Sequence, residues 1–341
     1  MKRSAVLLVI VCLALAVAAT PKHSALDDAV DQLVRDGFRG QIAIARGDRI
    51  VYERAAGTGI TPSSLFYVAS ITKSFTATAI FRLRDAGKLS LDDPITRFFL
   101  DVPADRRAIT IAELLTHTSG YSDNYAADGF AERDAAVASV LSRPMKLTTG
   151  KDFHYSNDNY ALLGAIVEIA SGLRYEDYLR QQLFTPAGVT MRFWGSTTPA
   201  DEVRLAAFSH PMAEHRRKRN WGDLGSSGAL TTAHDLLRWW LALANGRVLK
   251  PSTLAEMLTP KLVRPDSSTN IASGWFTTKT ALGREVVFAR GQEDVGHNAL
   301  LLHFTRENVT FAITSNSGEF HDQGWNRVAA ERLEPLVFAD R

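Results

Sequence analysis

Cysteine is almost missing from this 341-residue chain: the only one, Cys12, lies close to the N-terminus. Disulfides and thiol chemistry are thereby excluded from everything downstream of it. A surplus of charge of either sign is also missing. The chain has 39 Lys and Arg against 37 Asp and Glu, and Lys2 and Arg3 account for the difference. Such a balance argues against nucleic acid or an anionic membrane as partner. The apolar run from Ala5 to Ala19 is shorter than the roughly 20 residues a membrane span needs. There is no Gly-x-Ser-x-Gly elbow, which disfavours an α/β-hydrolase. His210 and His215 stand five apart beside Glu214, without His-x-His or His-Glu-x-x-His spacing, so no metal site is expected. Internal repeats and low-complexity linkers are absent too.

At the N-terminus, Lys2 and Arg3 precede the apolar run, and Ala16-Val17-Ala18 is a small-x-small cleavage pattern. Residues 1–19 are read as a signal peptide and the mature protein as periplasmic or secreted, with no stable membrane insertion after cleavage; an uncleaved anchor is the alternative. The remainder, 20–341, is long enough for one large domain or two intimate ones.

Helical spacing of Leu26, Ala29, Val30, Leu33 and Val34 predicts a helix over Ala25–Arg35, stopped by Gly37. Residues 41–45 and 49–52 flank Arg46-Gly47-Asp48 as a β-hairpin. Ile71, Phe75, Ala79 and Leu83 recur at four-residue steps, predicting a helix from Ser70 to about Ala86 that buries one stripe, with Gly87 as its cap. Short helices are expected over Ile111–Leu115, Tyr160–Ala170 and Tyr175–Phe184, and one capped by Thr232 over Ala233–Ala244. Glu285–Ala289, Ala299–Phe304 and Val309–Thr314 read as strands, and about Gln323–Phe338 as a last helix. Strands at both ends around a helical middle predict an α/β (α+β) fold. Its antiparallel sheet, from about 38–60 and 280–315, is flanked by helices, with a helical insertion over about 61–260.

Chemistry enters at Ser70-Ile71-Thr72-Lys73. A serine hydroxyl keeps its proton at neutral pH, and a lysine three residues on lies one helical turn away on the same face. A neutral amine there takes or relays the proton. At a helix start, free N–H groups and the helix dipole favour a developing oxyanion. The tetrad alone fits better a serine near a helix start with a solvated lysine.

Several further stretches keep company with it in order. They are Gly87-Lys88-Leu89-Ser90-Leu91-Asp92-Asp93-Pro94-Ile95, residues 109–120 ending in Leu115-Thr116-His117-Thr118-Ser119-Gly120, Tyr155-Ser156-Asn157, residues 225–232, and Ser273-Gly274-Trp275. Together with Phe66–Phe75 they resemble the serine β-lactamase, penicillin-binding protein and carboxylesterase superfamily, especially its class C-like branch, over nearly the whole mature chain. The resemblance implies a β-lactamase/transpeptidase-like fold and a cofactor-independent serine hydrolase. Ser70 would be acylated, Lys73 would deprotonate or orient it, and the Tyr155 phenolate would serve as general base and later protonate the leaving group. Asn157 would hydrogen-bond Lys73 and substrate. The Ser70 N–H would form half of an oxyanion hole.

The family's third element, Lys-Thr-Gly or His-x-Gly, falls on Arg290-Gly291-Gln292 when counted back from Gly296. Arg290 would keep the positive charge, Gln292 would add a side chain beside the substrate strand, and the second oxyanion N–H is expected near Glu293. No Glu-x-x-Leu-Asn loop is visible, so deacylation would rest on Tyr155 and Lys73. The implied substrate is an ester or amide. A β-lactamase or D-Ala-D-Ala carboxypeptidase shares the machinery, and a catalytically silent binding protein is the non-enzyme alternative. His117 is read as structural, and the run His215–Arg219 as a solvated loop.

Overall fold

The computed structural model describes residues 24–122, 125–145, 149–150, 152–208, 217–263 and 267–339. The signal segment, Cys12, His210 and His215 lie outside the described residues. Eleven strands matter for the site. They are β1 (Gly40–Arg46), β2 (Arg49–Ala56), β3 (Phe66–Tyr67), β4 (Arg192–Phe193), β5 (Ala229–Thr231), β6 (Leu262–Val263), β7 (Asn270–Ile271), β8 (Phe276–Lys279), β9 (Glu285–Gln292), β10 (Asn298–Phe304) and β11 (Val309–Ser315). The main sheet is antiparallel and runs β2-β1-β11-β10-β9-β8-β7-β6. The N-terminal hairpin thus pairs with the C-terminal strands, as expected from strands at both ends. The sheet also takes in strands from Leu262 to Lys279. The middle of the chain carries a small sheet of its own, β3-β5-β4, among its helices.

β1, β10 and β11 are buried on both faces, but the faces differ in side-chain size. Ile42, Ile44, Leu300, Leu302, Phe311 and Ile313 face one core, shared with the terminal helices Ala25–Arg35 and Trp325–Val337. Their alternating neighbours Ala43, Ala45, Ala289, Ala299 and Ala312 face the second core, shared with the helical middle. On β1 and β11 these small residues let the helix Ala233–Ala244 lie close against the sheet. This explains why the strands read as nearly continuous apolar runs.

The Thr72–Asp85 helix is the axis of the second core. The periodic stripe predicted one buried face, whereas the helix is buried nearly all round, with Thr72, Lys73, Ser74, Thr76 and Thr78 inside. Burying hydroxyls is costly unless they are bonded. Here Ser74 donates to the Ile71 carbonyl (2.7 Å), Thr78 to the Ser74 carbonyl (2.7 Å), and Thr76 to the Gly225 carbonyl (2.7 Å). Phe75 supplies the apolar anchor, edge-on to Phe184 at 5.4 Å and Trp239 at 5.2 Å, an arrangement that aromatic quadrupoles favour.

Candidate active site

Ser70 lies in a 3-10 turn, Ala69–Ile71, that feeds directly into the Thr72–Asp85 helix. The residue before it, Ala69, has φ +47°, a left-handed conformation that costs a non-glycine residue about 1–3 kcal/mol. Two features hold the turn in that shape. The Val68 N–H bonds to the Ala229 carbonyl at 3.0 Å, and β9 presses against the turn at Gly291. A Cβ on Gly291 would overlap the Val68 carbonyl oxygen and sit 2.9 Å from the Ala69 Cβ. Only glycine lets strand and nucleophile turn meet.

Lys73 follows one turn later and is buried, with its Nζ 3.0 Å from Ser70 Oγ. It also donates to Asn157 Oδ1 (2.7 Å) and to the Ser226 carbonyl (2.9 Å). The last two partners only accept, whereas the serine hydroxyl either accepts or donates. A neutral amine can therefore spend its two N–H bonds on Asn157 and Ser226 and turn its lone pair to the serine proton. Tyr155 approaches from the other side, its hydroxyl 2.7 Å from Ser70 Oγ. It immediately precedes Ser156, whose side chain caps the Asn157–Ser171 helix, so a helix start fixes where the tyrosine emerges. The Lys73 ammonium position lies 4.7 Å from the centre of the Tyr155 ring.

Ser70, Lys73, Tyr155 and Asn157 are thus brought together. The residues of the third element divide. Arg290 lines the cleft together with Ser70, Lys73, His117, Tyr155, Gly274 and Ala289. Partial enclosure and the neighbouring Arg327 cation hold its guanidinium below the ordinary arginine range, and Tyr155 pulls the other way. Arg290 makes no ion pair among the described residues. The Gln292 side chain, expected beside the substrate strand, donates to Glu319. The Glu293 N–H, the expected second oxyanion donor, is bonded to the His297 carbonyl at 2.9 Å and closes the β9–β10 hairpin. Backbone groups alternate along a strand, so the Gln292 N–H points to the opposite edge. β8 pairs with β9 only from Glu285 to Phe288, which leaves that edge open beside the nucleophile turn.

Three contributions were not legible. The Ser226 group that holds Lys73 is a carbonyl, which any residue type would provide. Gly274, with φ +73°, lies so close to the nucleophile helix that a Cβ on it would sit 2.9 Å from the Lys73 carbonyl oxygen, a contact that the Ser273-Gly274-Trp275 motif does not reveal. Arg219, read within a solvated run, instead bonds to Glu168 (2.9 Å), Glu176 (3.1 Å) and the Ala131 carbonyl (2.8 Å). Among the described residues no group of three or more His, Cys, Asp or Glu is gathered as a metal would need.

Sheet, helical middle and a Ser–Lys–Tyr cluster at their seam define the β-lactamase/transpeptidase-like fold. The chain belongs to the beta-lactamase family, whose model matches residues 26–334. It is 33% identical over 171 residues to penicillin-binding protein 4 of Amycolatopsis lactamdurans, covering 47% of this chain and 43% of that one. Two relatives from Bacillus subtilis, 28% and 23% identical, are spanned over 59% and 72% of their lengths. Among solved structures, the penicillin-binding protein from Bacillus halodurans superposes with TM-score 0.77 at 24% identity, over 90% of this chain and 99% of that one. The D-amino acid amidase from Ochrobactrum anthropi SV3 superposes with TM-score 0.78 at 24% identity, over 93% and 100%.

Proposed function

We propose that the protein is an exported serine hydrolase that cleaves a small ester or amide through an acyl-Ser70 intermediate. One observation carries this reading: Ser70 Oγ lies within hydrogen-bond reach of both Tyr155 OH (2.7 Å) and Lys73 Nζ (3.0 Å). Ser70 Oγ attacks the carbonyl carbon and its proton passes to Tyr155 or Lys73. The Ser70 and Gln292 N–H groups face the oxyanion. Collapse of the tetrahedral species breaks the bond to the leaving group, which takes that proton. Water then attacks the acyl ester, loses a proton to the same pair, and Ser70 recovers its own.

The structural register of β9 supports Gly291, rather than Gln292, as the glycine of the third element. Ala289 shares its face, toward the nucleophile helix, and Arg290 stands between them on the face toward Arg327. On this reading the position usually held by Lys or His carries no charge. A second reading follows from Arg290. A cleft cation with no acidic partner among the described residues suits a substrate carboxylate, which β-lactams and D-Ala-D-Ala peptides carry.

The test is intact mass and turnover with a simple ester, a D-amino acid amide, a penicillin and a D-Ala-D-Ala peptide. A fluorophosphonate should add one label, absent in Ser70→Ala. Fast ester or amide turnover favours the hydrolase, and a long-lived penicillin adduct favours the peptidase type. No adduct with any of them means a silent binding protein. Arg290→Ala should raise KM for carboxylate-bearing substrates while sparing neutral esters; equal effects on both would remove Arg290 from substrate recognition.

A further inference from the structure

His117 takes no part in the proton transfers just described, yet it touches the Tyr155 segment at three points. Its carbonyl accepts the His154 N–H at 2.9 Å. Its Nδ1 accepts the Ser156 N–H at 3.1 Å. Its ring lies over the Tyr155 ring, with centroids 4.6 Å apart and planes 27° from parallel. The two backbone bonds bracket Tyr155 on either side, and the stack fixes the ring between them. Residues 152–156 have no regular secondary structure, so no ladder of backbone bonds does this instead. His117 itself is strained, with φ +58°. That conformation is costly for a non-glycine residue, and it is found where carbonyl and imidazole both meet one loop.

We propose that His117 is a positioning residue for Tyr155, holding the phenol against Ser70 through a neutral imidazole that accepts at Nδ1. The proposal rests on the reading of Tyr155 as a proton-transfer group. The charged and titratable groups around the ring are Lys73 from the nucleophile helix, His154 and Tyr155 from the loop, and Tyr160 from the following helix, whose ring is 5.1 Å away. Burial first, then the Lys73 charge and His154, hold the His117 pKa well below its ordinary value. Protonation at Nδ1 would set a donor against the Ser156 N–H and add a second cation beside Lys73, so the clamp works only in the neutral state.

The experiment is a double-mutant cycle on a neutral ester. His117→Phe keeps a ring and loses the acceptor; His117→Asn keeps an acceptor and loses the ring. Each should lower kcat on the order of 10²-fold, the scale of a 1 Å misplacement, with KM little changed. In a Tyr155→Phe background the same changes should add almost nothing, because the group being positioned is gone. Equal losses in both backgrounds, or wild-type kcat in both His117 variants, overturn the proposal alone. A fully active Tyr155→Phe overturns the mechanism beneath it as well. Should the His117 variants fail to fold, nitrogen NMR on the unaltered protein decides. The imidazole in contact with the Ser156 amide proton should be the neutral Nε2–H tautomer from about pH 6 to 8. An Nδ1–H tautomer or an imidazolium there overturns the clamp.

Discussion

Ser70 hydrogen-bonds to two groups that differ in what they can return. Lys73 is buried and anchored by Asn157 and Ser226, while Tyr155 stands at a loop end beside the cleft. The phenol is thus the better placed of the two to follow a leaving group. Tyr155→Phe should cut kcat by about 10²–10⁴-fold, the usual cost of a general acid or base, with the fold intact by circular dichroism. A loss below about threefold, far short of that range, would take Tyr155 out of the chemistry. At this scale Ser70 and Lys73 were legible because their spacing has a chemical reason, a shared helix face, whereas Tyr155 was legible only through the resemblance, since a tyrosine before a helix start is by itself an ordinary turn. The Ser226 carbonyl was not legible because a backbone group leaves no mark in residue identity. His117 was legible only as part of a motif, since its use depends on which loop lies over its ring.

Elements decide where the third motif sits. Counting from Gly296 places glycine at 292, but β9 touches the nucleophile turn at 291, where a Cβ meets the Val68 carbonyl. Gly291→Ala should therefore destabilise the protein by about 1–3 kcal/mol, as overpacking does, and cost activity by displacing Ser70. Gln292→Gly removes only a side chain bonded to Glu319 and should leave kcat near wild type. The reverse pattern, read by thermal melts and ester turnover, would restore the counted register.

The same hairpin is tied to β3 by His297, whose Nδ1 accepts the Tyr67 N–H at 3.0 Å and whose Nε2 lies 3.2 Å from the Ala207 carbonyl. Burial lowers the His297 pKa from 6.5 to about 4, and that of His303 likewise to about 4. The unfolded chain then binds more protons than the folded one between those values. Stability should therefore fall as pH drops from about 6.5 to about 4, and these groups contribute no further slope below that. Carboxylates held below 3.8, such as Asp27 and Asp85, add their losses only at lower pH. Melting temperature measured from pH 7 to pH 4 checks this; a flat profile would mean that these histidines are not buried neutral.

Across the whole molecule, the two cores divide the sheet: bulky residues face the terminal helices, while on β1 and β11 alanines face the helix Ala233–Ala244. The expected signal segment belongs to this scale too. Export should cleave the chain near Ala18 or Ala19, and N-terminal sequencing of exported protein checks it; a chain still beginning at Met1 would be anchored instead. Among the described residues no helix is long and apolar enough to cross a membrane.

Local patterns in the sequence determined the helices at Ala25–Arg35, Ile111–Leu115 and Ala233–Ala244, the three C-terminal strands and the Ser-x-x-Lys pair. Each depends on contacts a few residues apart, which periodicity and capping residues record. Tertiary structure alone decided the rest. Lys73 receives an acceptor 153 residues away, the glycine of β9 is chosen by a turn over 200 residues earlier in the chain, and the Glu293 N–H is consumed by its own hairpin. Each of these is a contact between surfaces brought together by packing, where fit and backbone direction, not residue type, determine which group faces which.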